Sequence, residues 1–162
     1  MPAAARKKKR SGRAQAGLHG SYVVEITGWG WSLSFGINHS PHLGGGPYSD
    51  FRHLRLEGRL IIPTSIKASL VEVTLMPDLR MNAGPREGDF PQAIGSLELH
   101  NGRLKILSGM PADTLDAVLM LLSSGKLRTI AIHGTRLRYS HGLIRSFSTH
   151  ESIPEDDLPS DW

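Results

Sequence analysis

The chain of 162 residues contains no cysteine. That single absence excludes disulfide frameworks, thiolate metal sites and cysteine nucleophiles together. Aromatic residues make up only 6% of the sequence. No apolar run approaches the roughly 18 residues that a membrane-spanning helix needs, and the basic start is not followed by the apolar segment of a secretory signal. These absences point to a soluble protein, cytoplasmic or, in a eukaryote, nuclear, with no membrane partner. Size is not limiting. A chain of this length can bury about 69% of its unfolded surface, enough for a core without staples.

Glycine is in excess, at 18 residues, and the formal charge is +4. The charge is unevenly placed. Residues 1–16 carry Arg6, Lys7, Lys8, Lys9, Arg10 and Arg13 with no anion, and residues 151–162 carry five carboxylates with no cation. Neither end has hydrophobic periodicity able to offset the entropy of ordering. The expected organisation is a disordered basic tail over 1–16, one β-rich domain over 17–150 and a disordered acidic tail over 151–162.

Local patterns predict most of the domain. Ser96–Leu107 alternates around Asn101-Gly102, the strongest short hairpin signal, because both turn positions need φ > 0. In that register Leu99 faces Leu104, Leu97 faces Ile106, and Glu98 lies opposite Lys105 on the other face. His133-Gly134 and His141-Gly142 read as two further turns. The first would pair Ile130 with Leu137 and Ile132 with Thr135. The second would set Tyr139 opposite Ile144 and Arg138 opposite Arg145, a like-charge pair that asks for an anion or a longer turn.

Between these hairpins the spacing of Leu115, Val118, Leu119 and Leu122 predicts a helix over about 111–124, with Pro111 at its first position and Gly125 ending it. Met120 and Leu121 widen its apolar surface, which predicts a well-buried helix. Leu54–Ile62 and Val71–Leu75 alternate as strands, ending at Pro63 and Pro77. Loops over about 38–50 and 77–93 exceed the usual connection length and are candidate contact regions. The fold class that follows is mainly β: an antiparallel sandwich or partly closed barrel with a single α-helix.

One segment departs from an ordinary strand. From Gly28 to Ile37, Trp29, Trp31, Leu33, Phe35 and Ile37 occupy one face, and Gly28, Gly30, Ser32, Ser34 and Gly36 the other. Tyr22, Val24 and Ile26 lie on the opposite parity, so a bulge is expected near Thr27-Gly28. The large face reads as the main core wall, or else as a stacking platform. The glycine–serine face reads as a place where a backbone, helix or ligand approaches closely.

Chemistry-bearing motifs are sparse. Four histidines flank glycine turns, and His39-Ser40-Pro41-His42 has a zinc-like spacing without a third ligand. Gly30–Ser34 fails the nucleophile-elbow pattern, Ser123–Lys126 matches S-x-x-K without its partner motifs, and no phosphate loop is complete. No catalytic residue, cofactor or metal is assigned. Candidate anion or nucleic-acid contacts are Arg6, Lys7, Lys8, Lys9 and Arg10 in the tail and Arg136, Arg138 and Arg145 in the domain. Three functional classes remain. The leading one is a non-enzymatic binding or assembly module, with a protein partner or a homo-oligomer contacted through loops and tails. The others are a nucleic-acid-associated protein using the basic tail, and a small-ligand-binding or hydrolytic barrel.

Overall fold

A computed structural model describes residues 19–39, 46–81 and 91–152. The basic tail and all of the acidic tail beyond Ser152 lie outside these residues, as do the glycine pair Gly44-Gly45 and most of the 77–93 loop. The order is β1 (His19–Ile37), β2 (Tyr48–Ile62), β3 (Leu70–Pro77), a 3-10 turn (Leu79–Met81), β4 (Gly95–His100), β5 (Arg103–Met110), α1 (Ala112–Ser123), β6 (Thr129–Thr135) and β7 (His141–His150). The fold is therefore mainly β with one helix among the described residues. The seven strands close into a ring in the order β1-β2-β3-β5-β4-β7-β6. All neighbouring pairs are antiparallel except β3–β5, which is parallel. The tight β4–β5 hairpin sends β5 back alongside β3 in the same direction, so the sheet is mixed where pure antiparallel pairing was expected.

The Asn-Gly hairpin forms in the expected register. His100 pairs with Arg103, Leu99 with Leu104, Glu98 with Lys105 and Leu97 with Ile106. Asn101 and Gly102 sit at φ 49° and 73°, the left-handed region that this turn requires. Turn chemistry and side-chain parity specify the same pairing, and everything needed lies within twelve residues.

The other two turns fall elsewhere. His133-Gly134 lies inside β6, and His141-Gly142 opens β7. The chain reverses at Tyr139-Ser140, both at positive φ (51° and 70°), with Arg138 and His141 exchanging backbone hydrogen bonds of 2.8 and 3.0 Å. Arg138 thus faces His141, not Arg145. The two glycines serve packing. A Cβ on Gly134 would lie 1.9 Å from the Leu143 carbonyl oxygen at a bulge in the β6–β7 ladder, and one on Gly142 would lie 3.1 Å from Leu97 Cδ1.

Inward-facing side chains fill the ring. Tyr22, Val24, Leu54, Leu56, Val73, Leu75, Leu97, Leu104, Ile106, Ile130, Ile132 and Ile144 form one buried cluster. The space between Val73, Ile106, Ile132 and Phe147 has no room for a water molecule. Leu115, Val118 and Leu122 dock α1 onto this cluster. The helix is less buried than its apolar content suggests. Met120 is 72% exposed and Leu121 39%, because the contact covers a single stripe. Pro111 stands one position earlier than expected, at the N-cap, and Gly125 follows the helix at φ 71°.

Tyr22 ties the two ends of the domain together. Its hydroxyl donates to the Thr135 carbonyl at 2.9 Å, joining β1 to β6. Burial raises its pKa above the ordinary 10.0, against the smaller lowering effects of the Leu137 backbone N–H and the Arg136 charge. A raised folded-state value means that its contribution is complete below pH 10 and is lost as pH rises further. Tyr22→Phe is expected to cost about 1 kcal/mol at neutral pH and to flatten the alkaline fall of stability. Urea unfolding at pH 7 and across the alkaline range measures both.

Candidate functional site: an apolar ribbon and a cationic wall

β1 and β2 are longer than the ring. β1 pairs with β6 only from His19 to Glu25, and β2 pairs with β3 only from Leu54 to Gly58. Beyond those points β1 and β2 pair with each other as far as Ile37–Tyr48. The outer part is therefore a two-stranded ribbon. From the Trp31–Leu54 pair to its end it runs six residues, about 20 Å at strand rise. The bulge expected near Thr27-Gly28 is present, as a register shift between Ile26 and Gly28. It switches parity, so that Trp29–Ile37 continue the inward-facing side of the sheet after the ring has ended.

This overturns the expectation that Trp29–Ile37 forms the main core wall. Trp31 alone of that row packs against the core. Trp29, Leu33, Phe35, Ile37 and the facing Tyr48 are 46–70% exposed. Phe35 and Tyr48 stack with ring centres 5.8 Å apart. The register places Asp50 and Arg52 on the same face, where Arg52 bonds Asp50 at 2.6 Å and Asp116 of α1 at 3.3 Å. That pairing neutralises the polar positions and braces the ribbon root against the helix.

The opposite face holds no close approach. A Cβ on Gly30 or Gly36 would meet nothing within 4 Å, and one on Gly28 would first meet the Glu57 side chain at 3.9 Å. Ser32 and Ser34 are exposed there as well. Within one copy the glycine–serine face is thin and open, with none of the close approach by backbone or helix that its small residues suggested. Phe51 and His53 meet at a tilt on its β2 half, with ring centres 5.5 Å apart and planes inclined by 52°.

A second region lies on the outside of the β1–β6–β7 wall. Pairing places Ser21, His133 and Ser146 side by side, with Ser21 Oγ 3.3 Å from His133 Nδ1. Next to them a groove of about 420 Å³ is lined by His19, Gly20, Ser21, His133, Gly134, Arg145 and Ser146. Arg136 Nε donates to the His19 carbonyl at 3.2 Å, which anchors that arginine at the groove's edge.

Charge is segregated between walls. Arg52, Arg55, Arg59, Arg80 and Arg103 each have a carboxylate at 2.6–3.9 Å. Among the described residues, Arg128, Arg136, Arg138 and Arg145 have none. Residues 117–150 carry Lys126 and those four arginines and not one Asp or Glu. Glu25, which pairs with Thr129 at the far end of this wall, is held by Arg59 at 2.6 Å.

Of the anion contacts expected from sequence, Arg145 and Arg136 come together around His19. Arg138 sits at the β6–β7 turn, and Arg6–Arg10 lie outside the described residues. Tyr48, His19, Ser21, His133 and Ser146 were not expected as site residues. The β6–β7 pairing sets Ser146 beside His133, but only the β1–β6 pairing, more than 110 positions apart, brings His19 and Ser21 to them, and no local pattern carries it.

The motifs weighed for catalysis find other roles. Ser123 Oγ donates to the Leu119 carbonyl and Ser124 Oγ to that of Leu121, so the S-x-x-K hydroxyls close the end of α1. His39 is described and His42 is not. Among the described residues no group of three or more His, Cys, Asp or Glu is placed to hold a metal ion, and no helix is long and apolar enough to cross a membrane. Comparison of the chain with models of known protein families, with curated proteins and with solved structures finds no match.

Proposed function

We propose that the protein is a non-enzymatic assembly module in which the apolar face of the β1–β2 ribbon packs against the same face of a second copy. The observation that carries this reading is the row Leu33, Phe35, Ile37 and Tyr48, held in the open on a ribbon with no third strand, with the exposed Trp29 continuing the same face at its root. A two-stranded ribbon is marginal in water by itself. At ~200 Å² for a large side chain, the five leave roughly 600 Å² of apolar surface open, the upper end of what a monomer exposes.

Two such faces packed together would remove about 1,200 Å² from water, the lower bound of a specific interface, before any backbone is counted. The face is its own complement, as a twofold contact requires, and its only charges are already paired through Arg52.

Sedimentation velocity of the full chain at 1–50 µM tests the reading. A dimer is expected, and Phe35→Ser with Ile37→Ser should leave a monomer whose circular dichroism is unchanged. A chain that stays monomeric throughout, or a dimer indifferent to both changes, would count against it.

A further inference from the structure

The ribbon has an edge as well as a face, and the edge is built to take a strand. We propose that the free edge of β1 from Trp29 to Ile37 pairs antiparallel with the same edge of another copy, about a twofold axis through Leu33. The backbone decides which groups are available. Asn38 N–H donates to the Pro47 carbonyl at 2.9 Å, and hydrogen-bonded pairs alternate along an antiparallel ladder. Gly36, Ser34, Ser32 and Gly30 therefore bond β2, while Ile37, Phe35, Leu33, Trp31 and Trp29 aim their N–H and C=O groups away from it. On that side the last hydrogen bond among the described residues runs from Ile26 N–H to the Arg128 carbonyl, at 2.8 Å.

Three features favour a second copy as the strand that fills this edge. From Thr27 to Asn38 the sequence has no charge and no proline, the two residue types that keep exposed edges apart. The β2 edge differs, because its outward residues Tyr48, Asp50 and Arg52 include an ion pair. The β1 edge is also its own complement. With Leu33 opposite Leu33 of the second copy, Trp31 meets Phe35 and Trp29 meets Ile37. Every outward N–H then finds a carbonyl, and large apolar side chains lie side by side. Finally, the two bodies stay apart. Running antiparallel, the second ring, which ends on this edge near Glu25, falls beyond the Ile37–Tyr48 end of the first ribbon. The product is a four-stranded sheet, β2-β1-β1-β2, with both apolar rows on one face. This contact uses backbone where the proposed face contact uses side chains, so it goes beyond that reading and either can fail alone. With both present, two four-stranded sheets lie face to face and four copies assemble.

Sedimentation of the full chain from about 20 µM to about 1 mM, with amide hydrogen exchange read residue by residue at both ends of the range, tests the edge. A dimer that passes to a tetramer as concentration rises is expected. In the dimer the amides of Trp31, Leu33 and Phe35 should exchange at least about tenfold faster than those of Ser32 and Ser34, and in the tetramer that gap should close. Leu33→Pro removes the central N–H without touching the β2 ladder and should hold the chain at the dimer. Leu33→Ala keeps the N–H and should still reach the tetramer. Protection of Ser32 and Ser34 in the proline variant shows that its ribbon is intact; if they lose it, the exchange pattern of the parent chain decides alone. Should the face contact fail and the edge hold, the largest species is a dimer that survives Phe35→Ser with Ile37→Ser and is lost in Leu33→Pro. Three results overturn the proposal. One is that the Trp31, Leu33 and Phe35 amides stay fast at the highest concentration. Another is that they are already slow in a monomer, which would mean that the chain covers its own edge. The third is equal assembly by Leu33→Pro, with its ribbon intact, and Leu33→Ala.

Discussion

Gly134→Ala is expected to destabilise the domain by about 3 kcal/mol, at the upper end of what overpacking costs, and Gly95→Ala by a similar amount. A Cβ at Gly134 would stand 1.9 Å from the Leu143 oxygen, and one at Gly95 2.1 Å from the Leu107 oxygen. In both cases the obstacle is strand backbone, which cannot rotate away. Both glycines pair with Ile144, from opposite sides. The obstacle at Gly134 belongs to β7 and that at Gly95 to β5, so the fully buried Ile144 is flanked by two glycines that are crowded by different strands. Gly30→Ala and Gly36→Ala supply the contrast. With open space around them they should be neutral or stabilising by about 0.5 kcal/mol, through the lost freedom of the unfolded chain. Thermal unfolding of the four variants under one condition decides the matter. A Gly134→Ala protein as stable as the parent would mean that the bulge is not held as described.

Leu54→Ala and Leu33→Ala form the second contrast, on a single face of a single ribbon. Leu54 is fully buried where β2 enters the ring, and Leu33 is 59% exposed two residue pairs beyond it. The first change should cost 2–5 kcal/mol, the range for emptying a packed site. The second should cost less than about 0.5 kcal/mol when measured below the concentration at which copies associate. For a domain of this size the Leu54 variant should melt about 5–15 °C lower. Equal losses at both positions would mean that the ribbon face is covered within one copy, and the assembly reading would lose its basis.

The same two residues show where sequence stops being informative. Alternation assigned Leu33 and Leu54 to apolar faces equally well, because period-two patterning records which side a residue is on and not whether anything covers that side. Coverage depends on where β6 and β3 stop pairing, and those limits lie in other parts of the chain. The Asn101-Gly102 hairpin was legible because its turn, register and charges are all local. The β6–β7 hairpin was not, for two reasons. Its turn is made by Tyr139 and Ser140, residue types that do not announce a positive φ. Its glycines, Gly134 and Gly142, sit where backbones crowd and so resemble turn residues that they are not. The groove illustrates the same limit. Arg136 and Arg145 could be singled out by charge, but Ser21 and His19 reach them only through ring closure.

That closure has a consequence for how the protein is made. The first strand finds one of its two partners in β6, and the Tyr22–Thr135 bond spans 113 residues. At 5–20 residues per second of synthesis, the inner edge of β1 waits roughly 6–22 seconds for Thr129–Thr135 to appear. Throughout that interval Tyr22, Val23 and Val24 present an unsatisfied, apolar strand to everything nearby, a recognised starting point for aggregation. Nascent chains are therefore most vulnerable while the middle of the sequence is being translated, and holding factors that recognise apolar strands should engage them before the last quarter of the chain is complete.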